Sequence, residues 1–114
     1  MKIVIDTTPL YSGHKHRGIG IYTRELTRAL KSLDRVNTYV FTNHPRVVKS
    51  PHLIHYPYFD LFFPTLPHHP VPIVVTLHDV IPLALPQYFK VGLRGHLNLW
   101  RQSQALKKVA AIIT

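Results

Sequence analysis

The stretch from Lys2 to Leu33 limits what this chain can fold into more than any other. It reads KIVIDTTPLYSGHKHRGIGIYTRELTRALKSL. Ile3-Val4-Ile5 is apolar without alternation, which suits a strand buried on both faces. Asp6 ends that run. A polar loop follows, broken by Pro9 and Ser12-Gly13 and made basic by Lys15, His16 and Arg17. From about Gly20 to Leu33 the spacing predicts a helix. Tyr22, Leu26, Ala29, Leu30 and Leu33 form one apolar stripe, and Arg24, Arg28 and Lys31 lie off it. Strand, glycine loop and helix in this order present backbone N–H groups at a helix N-terminus, where an anion is favoured.

The remaining chain reads as more of the same sheet. Thr38 to Thr42 is β-branched and aromatic and predicts a second strand. His52 to Tyr56 is a shorter third. Ile73 to Leu77 is another unbroken apolar run, and Ala111 to Thr114 is a fifth. A second helix is expected over Leu93 to Val109, with Leu93, Leu97 and Trp100 facing inward and Leu99 and Leu106 off that stripe. Apolar strands alternating with helices imply right-handed crossovers and a parallel α/β sheet. The expected strand order is 3-2-1-4-5, in a single domain over residues 1–114. Between Pro57 and Pro72 the prolines exclude helix and central strand. The apolar residues from Tyr58 to Leu66 in that loop must pack on their own domain, a partner, a ligand or a membrane, and are expected to add apolar surface.

Composition narrows the partners without choosing one. The formal charge is +9, from 14 Lys and Arg against 5 Asp and Glu, which favours anionic partners. With no cysteine there is neither a disulfide framework nor a thiolate zinc site. No signal peptide is recognisable, so the expected location is cytoplasmic.

Three constellations invite a chemical reading. Gly18-Ile19-Gly20 resembles the start of a dinucleotide fingerprint. Thr23 occupies the third glycine position, however, and Asn43 stands where an acid would hold a ribose. A nicotinamide dinucleotide is therefore not expected. What remains is a glycine-lined helix N-terminus, suited to phosphate or serving only as a turn from strand to helix. His78-Asp79 ends the fourth strand, where ligands of open α/β sheets bind. With strands one and four as neighbours, His78 is expected to approach the glycine loop and to hydrogen-bond sugar or phosphate, or transfer a proton. The bland alternative is a histidine packed against the turn at Pro82. Asp79 would orient its ring or cap the next turn. Finally, His14 and His16, His52 and His55, and His68 and His69 lie on loops or on the weak third strand, mostly without carboxylates. They are expected to be solvated rather than metal ligands.

Gly18-Ile19-Gly20-Ile21-Tyr22-Thr23-Arg24-Glu25-Leu26, Leu77-His78-Asp79-Val80-Ile81-Pro82 and the closing Ala110-Ala111-Ile112-Ile113-Thr114 together resemble a known family. In order and spacing they are similar to the N-terminal domain of GT-B glycosyltransferases of family 4, the group 1, mannosyltransferase-like enzymes. The resemblance covers nearly the whole chain. It implies an incomplete N-terminal half of a GT-B fold, Rossmann-like, in an enzyme that retains anomeric configuration and uses no metal or other cofactor. The substrates implied are a nucleotide-sugar donor and a glycan or lipid-linked acceptor. The resemblance also implies roles for residues: Gly18 and Gly20 approach the donor diphosphate, His78 contacts the transferred sugar, and Asp79 is structural. Ile21 departs from the pattern, standing where many members carry arginine.

By the same resemblance the donor-binding domain is not within these residues. The chain alone is expected not to transfer sugar, and to be self-associated, partner-bound or poorly soluble. A competing class is a basic interaction module acting on a membrane surface or on nucleic acid. The membrane form is compatible with a lipid-linked acceptor and a peripheral location. The nucleic-acid form is disfavoured, because the basic residues are scattered and no recognition motif is present.

Overall fold

Five parallel strands form one sheet in the computed structural model, which describes residues 1–114. The elements are β1 (Lys2–Asp6), α1 (Gly18–Leu33), β2 (Thr38–Thr42), β3 (Leu53–Tyr56), β4 (Ile73–Thr76), α2 (Ile81–Ala84), α3 (Leu93–Leu106) and β5 (Ala111–Ile113). The architecture is α/β, with a Rossmann-like sheet flanked by helices. Every pairing is parallel, as unbroken apolar runs separated by helices require.

The strand order is 2-1-3-4-5, which corrects the expected 3-2-1-4-5. β3 sits between β1 and β4, and β2 lies at the edge. Two features account for this. The β2 sequence has threonine at both ends and is nowhere fully buried, as suits an edge strand. The start of β3 is tied to the start of β1: Lys2 N donates to His52 Nδ1 at 2.8 Å, and His52 N donates to Lys2 O at 2.8 Å. Short as it is, β3 buries Ile54, His55 and Tyr56 and forms the centre of the sheet.

The helices also seat differently from their apolar stripes. On α1 the buried residues are Gly20, Thr23 and Thr27, while Tyr22, Leu26, Ala29 and Leu30 flank them half-buried and Leu33 is exposed. Small residues on the inward face let the helix lie close to the sheet. Their hydroxyls are satisfied locally: Thr23 Oγ1 donates to Ile19 O at 2.8 Å and Thr27 Oγ1 to Thr23 O at 2.6 Å.

On α3 the expected inward stripe faces solvent. Leu93, Leu97 and Trp100 are 92%, 46% and 61% exposed. Leu99, Ala105 and Leu106 pack on the core instead. The polar residue Gln102 anchors that face, its Nε2 donating to Asp60 O at 2.9 Å and Thr65 Oγ1 at 2.8 Å. Asn98 Nδ2 donates to Phe62 O at 2.9 Å. The helix is thus rotated to serve the unpaired carbonyls of the proline-rich loop.

That loop belongs to the core. Phe59, Leu61 and Leu66 are buried with Val4, Ile54, Tyr56, Ile73 and Val75. The expectation that the loop adds apolar surface is corrected, with Phe63 as the exception. Asp60 organises the turn, its Oδ1 accepting from Phe62 N and Phe63 N and its Oδ2 from the Tyr58 hydroxyl.

Candidate functional site

In a 2-1-3-4-5 sheet the connections leave β1 and β3 in opposite directions, and the crevice beyond their carboxyl ends is the favoured place for a ligand. A cleft of about 780 Å³ opens there. Asp6 from the end of β1 and Tyr56 from the end of β3 line it, with His14 and Ser12 from the loop before α1. The segment after β2 contributes Asn43, His44 and Arg46, and the proline-rich loop contributes Tyr58, Asp60 and Phe63.

The chemistry of this cleft is mixed. Asp6 Oδ1 accepts from Thr8 N at 3.0 Å and Thr8 Oγ1 at 2.6 Å. The Tyr56 hydroxyl and His14 Nδ1 are buried without any hydrogen-bond partner. Burial first, and the Asp6 charge second, push the Tyr56 hydroxyl up to about 12 against the opposing effect of Arg46, so it remains a donor at neutral pH. The His14 and Tyr58 rings pack at 4.6 Å between centroids, tilted by 50°. Burial, then the bond to Asp60, raises the Tyr58 hydroxyl too. In the sequence His14 stands out only as one of a histidine pair, and Asn43 only as the residue in place of a ribose-binding acid. Asp6 was visible only as the end of a strand, and the signal that would have found it is the strand order.

A smaller groove of about 270 Å³ lies on the other side of Tyr58 and Asp60 and contains His78, Asp79, Ile19 and Pro82. β3 separates β1 from β4, so the expected approach of His78 to the glycine loop through neighbouring strands is corrected. The contact is made by α1 instead. The Tyr22 ring meets His78 edge-on at 4.7 Å. The Tyr22 hydroxyl lies 3.2 Å from Thr76 Oγ1, which in turn is 2.9 Å from His55 Nε2. His78 Nε2 is 2.8 Å from Pro57 O and therefore carries a proton. That bond fixes the ring and leaves Nδ1 for an external partner.

Asp79 does not orient His78. Its Oδ1 accepts from Ile81 N and caps the turn into α2. The two glycines differ. Gly18 is open on its Cβ side, whereas a Cβ at Gly20 would run into the backbone carbonyls of His14 and Lys15. The small size of Gly20 therefore serves the chain's own loop.

The histidines do not behave as one class. No group of three or more His, Asp or Glu side chains is arranged to hold a metal. His55 is buried in β3 rather than solvated. No helix is long and apolar enough to cross a membrane. No protein-family model, curated protein or solved structure matches this chain.

Proposed function

We propose that the chain is the acceptor-side part of a retaining GT-B glycosyltransferase, acting with a nucleotide-sugar donor and a glycan or lipid-linked acceptor. The observation that carries the reading is the His78 groove. It combines a Rossmann-like sheet, a histidine at the carboxyl end of β4 with its ring fixed, and contact to the helix whose first turn is Gly18-Ile19-Gly20. A histidine so held can hydrogen-bond a sugar hydroxyl through Nδ1 without reorganising in the reaction.

The test uses the chain together with a donor-binding domain, since the resemblance assigns the donor there. His78→Ala is expected to lower turnover about tenfold or more, the loss of roughly one well-placed hydrogen bond. Thermal unfolding of the variant should match the parent. Unchanged turnover would remove His78 from the site.

A specific observation favours peripheral attachment to an anionic membrane. Leu93, Leu97 and Trp100 form an exposed apolar ridge on α3, with Arg94 and Arg101 along one side. Between Val80 and Thr114 the chain contains Lys90, Arg94, Arg101, Lys107 and Lys108 and no Asp or Glu. Apolar residues beside a single-sign basic flank suit the boundary of an anionic bilayer. The chain is expected to co-sediment with phosphatidylglycerol vesicles and not with phosphatidylcholine vesicles. Arg94→Glu should weaken that binding about tenfold or more, because it changes the local charge by two. Equal recovery on both vesicle types would refute the attachment.

A further inference from the structure

We infer that the cleft beyond β1 and β3 binds a neutral ring bearing adjacent hydroxyls, a pyranose or a cyclitol, with Asp6 and Tyr56 at its floor. This deepens the transferase reading and rests on it only for naming the ligand as the acceptor. The recognition chemistry is read from the cleft itself.

Tyr56 is the primary observation. It is 4% exposed and lines the cleft, and its hydroxyl is buried with no protein atom in hydrogen-bonding geometry, although the Arg46 guanidinium is close enough to act on it. A buried hydroxyl without a partner costs about 1–3 kcal/mol, and native proteins leave few of them. A ligand oxygen in the cleft would remove that cost.

Asp6 supplies the complementary half. Ile5 pairs with His55 across β1 and β3, so Asp6 and Tyr56 follow side by side on neighbouring strands. Both bonds that Asp6 accepts fall on Oδ1, which leaves Oδ2 for a ligand. One floor group is thus an acceptor and its neighbour a donor. A hydroxyl satisfies both at a single atom, donating to the carboxylate and accepting from the phenol. An adjacent hydroxyl brings the His14 ring nitrogen, also buried without a partner, into use.

Charge selects a neutral ligand. The protein carries +9 overall, yet the cleft is lined by two carboxylates, Asp6 and Asp60, and Arg46 is its one Lys or Arg. A phosphate would meet more negative than permanent positive charge there. The walls suit a ring with apolar C–H faces: the His14–Tyr58 pair on one part and Phe63, 67% exposed, at the lip. The volume lies within the range of small-molecule sites.

The test is made on the chain itself, by following backbone amide NMR signals during titration. The probes are methyl α-mannopyranoside, methyl α-glucopyranoside and myo-inositol, with mannose 1-phosphate as the anionic comparison. Saturable shifts at Thr7, Ser12 and Tyr56 with at least one neutral probe are expected. Tyr56→Phe should lower that affinity about tenfold while leaving thermal stability equal or higher, because it deletes an orphaned group. A merely structural tyrosine would not separate the two readouts in this direction. The inference is overturned if no neutral probe binds, if mannose 1-phosphate alone binds, or if Tyr56→Phe binds as tightly as the parent. Binding without transfer in the enzyme assay would uphold the cleft and fail the transferase reading. Transfer lost on His78→Ala with no probe binding would do the reverse.

Discussion

Gly20→Ala is expected to destabilise the protein by about 1–3 kcal/mol, the usual cost of forcing an atom into a packed site. Gly18→Ala, two residues earlier, is expected to be neutral or to stabilise by up to about 1 kcal/mol, the ordinary helix preference of alanine over glycine. The contrast follows from where each Cβ would go. At Gly20 it would overlap the carbonyl of His14 and lie 2.7 Å from that of Lys15. Both are backbone atoms of the loop folded over the first turn of α1, where Lys15 N donates to Ser12 O and Arg17 N to His14 O. Such atoms yield only if the loop moves. At Gly18 nothing lies within contact distance. No glycine in the chain adopts positive φ, so the requirement at Gly20 is for space rather than for an unusual backbone conformation. Urea unfolding of the three proteins, followed by circular dichroism, measures the difference. A Gly20→Ala protein as stable as the parent but impaired only in ligand binding would return this glycine to the binding site.

How much of this architecture the sequence discloses depends on whether a feature is local or pairwise. Strand and helix positions are legible because hydrophobic runs and periods are local. β1 and β2 fall at Lys2–Asp6 and Thr38–Thr42 as read, and α1 begins two residues earlier than expected, at Gly18. The strand order is not legible in the same way, because the rank of a strand depends on which backbone it meets. The His52–Lys2 pairing that draws β3 against β1 has no pattern to mark it. The face of α3 fails for a related reason. An apolar stripe predicts burial only if nothing else competes for the inward side, and here the carbonyls of Asp60 and Phe62 do. Gln102 and Asn98 turn that side of the helix inward and leave Leu93, Leu97 and Trp100 outside.

The same distinction separates the two site regions. His78 could be picked from sequence because the end of a strand is a local position. Its fixing partners, Pro57 O and the Tyr22 ring, could not. The Asp6–Tyr56 floor was out of reach until β3 was placed beside β1. At Gly20 a pattern that resembles a ligand loop also answers a local packing demand, because the atoms crowding it belong to His14 and Lys15.

Acid is expected to destabilise this protein through His55 as pH falls from 6.5 to about 4. The His55 side chain is 6% exposed in the central strand, with Nε2 2.9 Å from Thr76 Oγ1. Burial lowers its pKa from 6.5 to about 4. Between those values the unfolded chain binds a proton that the folded chain does not, so stability rises with pH across the window. The stabilising effect is complete near pH 7. It declines as pH falls through 6.5 and is fully lost below about 4, a change of about 3 kcal/mol. Asp34 acts in a different range. Bonds from Asn37 first, then Tyr39 and the backbone of Val36 and Asn37, hold its carboxyl well below the usual carboxylate range. Its contribution is present above the ordinary carboxylate value and is lost only at more acid pH. His55→Gln separates the two, because glutamine retains a donor for Thr76 Oγ1 and cannot take up the proton. Urea unfolding between pH 7 and pH 4 should show the parent losing about 3 kcal/mol and the variant keeping most of its stability. Parallel profiles for the two proteins would mean that His55 is not the group whose protonation opens the sheet.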